Sequence, residues 1–512
     1  MIGWRSKAAA VAVAALVLAG CSSGGSGAGP SGTSAGPKSL VLGQFLAQST
    51  FDTRKAEWGN RALYYQAVYD TLLRGTSEGT IEPYLASAFT YNDDNTVLTL
   101  TIREGVKFSD GTALDAGVVK QNLDRFKSGG GAYATDLANV KTIEAPNPTT
   151  VVLTLSAPDP ALTAYLSREA GLVAAPSMFD AKDADTKPVG SGPYVLDSTA
   201  SVTGTKYVFT KNPSYWNADV QHYDTITMNV LADPTAIVNA IKAGEVDAAV
   251  LTDNNNLDQV KASGFTLATA ELNFMGLLLL DRAGKTNPAL GDVRVRQAIN
   301  YAVDRPGLLK ALQKGNGSVT AQVFPTSSAA YDEALNERYP YDPAKAKALL
   351  AEAGHADGID ITMASTAVLG GAMFPLVGQQ LADVGIRVKW VDTPVENYIA
   401  DLTAPKYAAI PMQLETNPDW QLIQFMLSPT APFNPFKYGD ATSEKLIKEI
   451  QTGDEATQKA KAAELNRYIV EQAWFAPFFR VSAAYAFDAK DVTVKLNPRN
   501  IVPSLYDFTP VS

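Results

Sequence analysis

Few groupings of side chains in this 512-residue chain have the types and spacing that chemistry requires. The two histidines, His222 and His355, lie far apart, and neither has a partner at metal-ligand spacing, so no zinc site is expected. Gly284-Lys285-Thr286 ends like a phosphate-binding loop, but Leu279 stands where that motif needs its first glycine. Asp253-Asn254-Asn255-Asn256-Leu257-Asp258 has the oxygen-rich look of a calcium loop and lacks the glycine at its sixth position. Gly129-Gly130-Gly131 follows no strand directly, so it is no dinucleotide fingerprint. Outside the low-complexity stretch near the N-terminus there is no Gly-x-Ser-x-Gly elbow, and no His-Glu-x-x-His occurs. The 53 acidic residues offer many carboxylate pairs for sugar hydrolysis, but sequence supplies no distances between them. A secreted hydrolase is therefore the lower-ranked reading. Binding without metal or cofactor is the expectation.

The single cysteine, Cys21, has a more definite prospect. Arg5 and Lys7 precede an apolar run from Ala8 to Leu18, and Leu18-Ala19-Gly20-Cys21 closes it with small residues. This is the layout of a secretion signal over residues 1–20. The apolar run is too short for a stable membrane span, which needs roughly 20 residues. With one cysteine no intramolecular disulfide forms, so stability must come from burial. Residues 21–37 are Ser, Gly, Ala, Thr and Pro with almost no apolar side chain, which predicts a flexible tether reaching roughly 20 Å.

The formal charge is −10, and losing Arg5 and Lys7 with the signal takes it to −12. That sign repels nucleic acid, and no basic block is dense enough to reverse it. The length exceeds what one hydrophobic core usually supports, so two or more lobes are expected.

The elements that would position a site are legible in outline. Ser39–Gln44 reads as the first strand, followed by a helix carrying Trp58, Tyr64, Tyr65 and Tyr69. Val97–Ile102 and Thr150–Leu155 alternate as half-buried strands. Asp115 caps a helix with Val119, Leu123 and Phe126 inward. Thr225–Val230, a helix opened by Asp233-Pro234 and closed by Gly244, and Val246–Leu251 make a β-α-β unit. Ile359–Met363, a helix near residues 372–384 and Ile386–Val391 make a second. Two such units over a hundred residues apart predict two α/β lobes rather than one long sheet. Asp292 and Asp342-Pro343 open further helices, and the apolar run from Trp474 to Phe487 reads as one or two strands.

Several stretches resemble, in one order, the family 5 extracellular solute-binding proteins of ABC importers, the dipeptide- and oligopeptide-binding group. They are Val68–Leu73, Phe89–Gly111, Val189-Gly190-Ser191-Gly192-Pro193-Tyr194, Asn212-Pro213-Ser214-Tyr215-Trp216, Gly244–Asp247, Asp292–Arg305 and Tyr341–Gly354. The Leu-Ala-Gly-Cys run is likewise similar to the lipobox of bacterial lipoproteins, which implies diacylglycerol on Cys21 and a membrane-anchored, extracytoplasmic protein. The resemblance implies an α/β, two-lobed periplasmic-binding-protein-like fold with an extra N-terminal subdomain, hinged by crossing strands. Residues 38–270 would form lobe I, 271–480 lobe II, and 481–512 would return to lobe I. It further implies a monomer that closes on a small-molecule ligand and docks on ABC permease subunits.

Peptide-binding relatives hold the ligand's amino terminus with an aspartate after a Tyr-Asp-x-x-x-x-Gly-Trp segment. The corresponding stretch here, Tyr407–Leu414, lacks that aspartate and tryptophan. Thr416 or Asn417 stands nearest the amine-binding position, and Glu415 or Asp419 could substitute after a local shift. Trp420, Asn434, Phe436 and Tyr438 continue the expected cleft side of lobe II, while Trp58, Tyr64 and Tyr65 are the lobe I candidates. Arg294 and Arg296 are expected in structural ion pairs and Trp474 in the core. A short peptide is the leading ligand, an oligosaccharide or other polar solute the alternative.

Overall fold

A computed structural model describes residues 38–415, 418–496 and 502–511; of the side chains of residues 272, 368, 395, 396 and 415 nothing is stated. Cys21, Thr416 and Asn417 lie outside the described residues.

Alternating apolar residues make the main sheet. Its nine strands run in the order 409–415, 266–279, 475–487, 248–251, 39–44, 225–230, 206–211 and 194–196, with 317–319 paired to 475–487. Ser39–Gln44 sits between the two strands of the first β-α-β unit and pairs parallel with both. That unit forms as its sequence predicts. The Asp233 carboxylate accepts from the Thr235 and Ala236 amides, and Gly244 ends the helix at φ 67°, where a Cβ would be strained.

The expectation of separate sheets in two lobes is corrected. Thr266–Leu279 and Phe475–Phe487 pair antiparallel along nearly their whole length, so one sheet runs continuously between two cores. At one end Ala484–Phe487 pairs with Ala248–Leu251; at the other, Phe479–Val481 pairs with Gly317–Val319. A core around Leu40, Tyr64, Phe209 and Tyr485 covers the first end. Another around Leu277, Ile299, Met363 and Phe478 covers the second. The second β-α-β unit forms a separate two-stranded parallel sheet, Ile359–Ser365 with Ile386–Asp392.

An extra layer is inserted after residue 85. Strands 86–91, 97–102, 150–155 and 140–147 form a four-stranded antiparallel sheet covered by helix Ala116–Ser128. Leu98, Leu100 and Ile102 point into its core, as their alternation predicts. This core continues into Leu414, Trp420, Ile423 and Met426, so the insert packs directly against the other end of the molecule.

The aromatic helix is shorter than expected. It spans Ala62–Val68, with Trp58 before it and Tyr69 just after. Among the described residues no helix is long and apolar enough to cross a membrane.

Candidate functional site

Three of the sequence motifs meet at one buried carboxylate. Asp70 is 0 % exposed and accepts from Ser191 Oγ at 3.0 Å, Tyr215 Oη at 2.8 Å and Trp216 Nε1 at 2.9 Å. Tyr84 Oη lies 2.6 Å from Tyr215 Oη, and the Arg103 guanidinium stacks on Trp216 at 4.5 Å. A Cβ at Gly192 would collide with the Val68–Tyr69 backbone, which explains a glycine there. Burial pushes the Asp70 carboxyl up to about 6, against the three hydrogen bonds that favour its charge. The hub ties the loops beside strands 194–196 and 206–211 to the segment leading into the inserted layer. It makes no opening for a ligand.

The rejected motifs are also accounted for. Asp281 accepts from the backbone amides of Lys285, Thr286 and Asn287, the donors a phosphate would need. Asp253 caps its own turn through Asn255 N, and Asn254 ties that turn to Ser482 O and Gln313. Among the described residues no cluster of three metal-ligating side chains occurs.

The open space lies where the inserted layer meets the opposite end of the molecule. A cavity of about 740 Å³ has Gly79–Ile81, Pro160 and Ala164 on one wall. The other wall carries Ser327–Ala329, Asp419, Trp420 and Lys459. Hydrogen bonds beside the cavity link the same two parts of the molecule. Tyr165 Oη donates to Gln424 Oε1 at 3.1 Å, and Gln451 Nε2 donates to Pro158 O at 3.3 Å. A second cavity of about 40 Å³ adjoins it and is lined by Trp58, Gln66, Arg74 and Tyr506 among others.

Of the site residues expected from sequence, Asp419 and Trp420 line the larger cavity and Trp58 the smaller. Asp419 opens a short helix, Asp419–Leu422, and Trp420 is 7 % exposed with its indole N–H directed at the Asp159 carboxylate. That indole lies beside Asp159, whose carboxyl burial raises. Tyr65 lines neither cavity. It is fully buried, and its hydroxyl donates to Thr50 O at 3.0 Å while accepting from Glu57 N. Asn434 is also 0 % exposed, and its amide donates to Ser428 O and Tyr438 O. Its oxygen accepts from Tyr438 N, so it clamps a loop. Glu415 ends the strand Ala409–Glu415 and pairs with Asn273; its side chain lies outside the described set.

Arg294 makes the expected ion pair, 2.5 Å from Asp292, whereas the buried Arg296 donates to the carbonyls of Leu290 and Gln472 instead. Trp474 is in the core, under the Arg282 guanidinium at 4.5 Å. Sequence reasoning missed Arg74, Tyr165 and Gln424. Only the folded chain brings residues 165 and 424 together, so no local pattern could have flagged them.

The family model of bacterial extracellular solute-binding proteins, family 5, matches residues 80–434. The chain belongs to this family. Family 5 members are solute receptors rather than catalysts. The glutathione-binding protein GsiB of Escherichia coli K12 is 30% identical over 347 residues, covering 63% of each chain. The chain thus spans under two thirds of the length of the curated relatives it matches. The structure of HbpA2 from Haemophilus parasuis superposes with a TM-score of 0.82 at 21% identity, over 93% of this chain and 100% of that one. Helicobacter pylori DppA in complex with the peptide STSA gives 0.74 at 22% identity, over 93% and 98%. These likenesses show the two-lobed fold of the family.

Proposed function

We propose that this protein is a lipid-anchored extracytoplasmic receptor that captures a short peptide between its lobes and delivers it to an ABC permease. In this reading residues 38–270 and 481–512 form one lobe and 271–480 the other, hinged where Thr266–Leu279 and Phe475–Phe487 cross. The supporting observation is the 740 Å³ cavity between walls from both lobes, a size suited to a small organic ligand. A ligand touching both walls binds the closed arrangement better than the open one, and that difference drives closure. Asp419, with Glu415 nearby in sequence, supplies negative charge for a ligand ammonium. One relative is named for binding glutathione and another was solved with the peptide STSA, which favours the same ligand class.

The alternative, an oligosaccharide or other polar solute, draws support from the aromatic Trp420 on the cavity wall. Mass spectrometry of small molecules released from denatured protein separates the two. Peptides are the expected result. Sugars without peptides would overturn the leading reading.

A further inference from the structure

We propose that the small cavity beside the cleft is an anion subsite, where Arg74 receives a carboxylate of the bound solute. This rests on the receptor reading above and narrows it to ligands with a free acid group.

Arg74 is the middle residue of the short strand Leu73–Gly75, paired with Glu82, and its side chain lines the 40 Å³ cavity with Trp58, Gln66, Ser504 and Tyr506 around it. Its guanidinium lies over the Tyr506 ring at 4.9 Å, which leaves the in-plane donors directed elsewhere. The one carboxylate paired with it among the described residues is Asp507, at 3.8 Å, beyond hydrogen-bond distance. Nε is buried and has no acceptor among the described residues. A buried donor left unmet costs about 1–3 kcal/mol, which a bound acceptor recovers. Burial raises the Asp507 carboxyl, and the Arg74 and Lys495 charges oppose that shift.

The surroundings suit a carboxylate. Ser504 Oγ accepts from Gln66 Nε2 at 3.1 Å, so its own O–H remains as a further donor. Arg168 lines the same cavity, its charge shared with the Asp136 carboxyl. The space holds about three waters, enough for an acid group and too little for a large side chain. Gly79–Ile81 and Ala164 are shared with the larger cavity, whose far wall carries Asp419. A ligand spanning both would place its acid at Arg74 and its ammonium toward Asp419. Planar guanidinium–carboxylate pairing is the strong, directional form of this contact.

The test titrates trialanine and its C-terminal amide into purified protein by calorimetry, beside the molecules released on denaturation. Wild type should bind the free acid at least tenfold tighter than the amide. Arg74→Gln should abolish that preference and Arg74→Lys should keep part of it; melting curves establish that both variants fold. Equal binding of acid and amide by wild type overturns the subsite and leaves the receptor reading intact. Release of a non-peptide acid overturns the peptide reading and supports the subsite. A released fraction without an acid-bearing molecule overturns the subsite. Should neither tripeptide bind, the released acid and its methyl ester serve as the probe pair under the same criteria.

Discussion

Asp70 and Asp136 show opposite solutions to burying a carboxyl. Asp70 receives three strong donors, so its charge is supported although no water reaches it. Asp136 is pressed against Glu169, near Asp159 and Arg168, and the two carboxyls share a hydrogen bond that needs one of them protonated. Burial first, and then the Glu169 charge, push it up to about 8. A carboxyl raised in the folded state contributes stability that is complete below its unfolded value near 4. That contribution is lost as pH climbs through the folded value. Thermal stability should therefore fall between about pH 4 and pH 8. Asp136→Asn, which keeps the shape and removes one ionisation, should flatten that slope and stabilise the protein by about 1 kcal/mol at pH 8. Melting curves of both proteins at pH 5 and pH 8 check this. An unchanged slope would show that the pair does not govern it.

At the scale of elements, the two long strands and the two cross-cleft hydrogen bonds oppose each other. Thr266–Leu279 and Phe475–Phe487 carry pairing irregularities between Glu271 and Asn273 and between Met275 and Gly276. Such irregularities bend a strand and locally weaken its ladder, which suits a hinge. Closure is then held by contacts such as Tyr165 to Gln424, and one hydrogen bond contributes about 1 kcal/mol. Tyr165→Phe should leave the melting temperature within error while weakening apparent ligand affinity about fivefold. Calorimetric titration measures the affinity. Small-angle scattering should show a more open ligand-free state. A variant with wild-type affinity and dimensions would place the closing energy in other contacts.

For the whole molecule, anchor and receptor are expected to be separable. If Cys21 carries diacylglycerol, two acyl chains suffice for stable anchoring. The Gly/Ser tether then raises the receptor's effective concentration at its permease. Cys21→Ala should move the protein from the membrane pellet to the soluble fraction with ligand affinity unchanged. A parallel loss of affinity would show that anchor and cleft are coupled.

Local signals were read well because they depend on neighbours a few residues away. Asp115, Asp233, Asp292 and Asp342 each cap the helix their position predicts, since a cap needs only the amides two or three residues on. The alternation in Val97–Ile102 likewise marked its buried face. The order of motifs carried the family, and with it the two-lobed outline. Tertiary structure decided which side chains face open space. Tyr64 and Tyr65 look like cleft aromatics at helical spacing, yet both are buried and bonded to backbone carbonyls. Trp58, just before the helix, reaches a cavity instead. The continuous sheet arose from pairing between strands about two hundred residues apart, which no local pattern encodes. Arg74 lines a cavity beside Tyr506 and Ser504, more than four hundred residues away in sequence. Burial and pairing are properties of the assembled chain, so folding alone decides which side chains line open space.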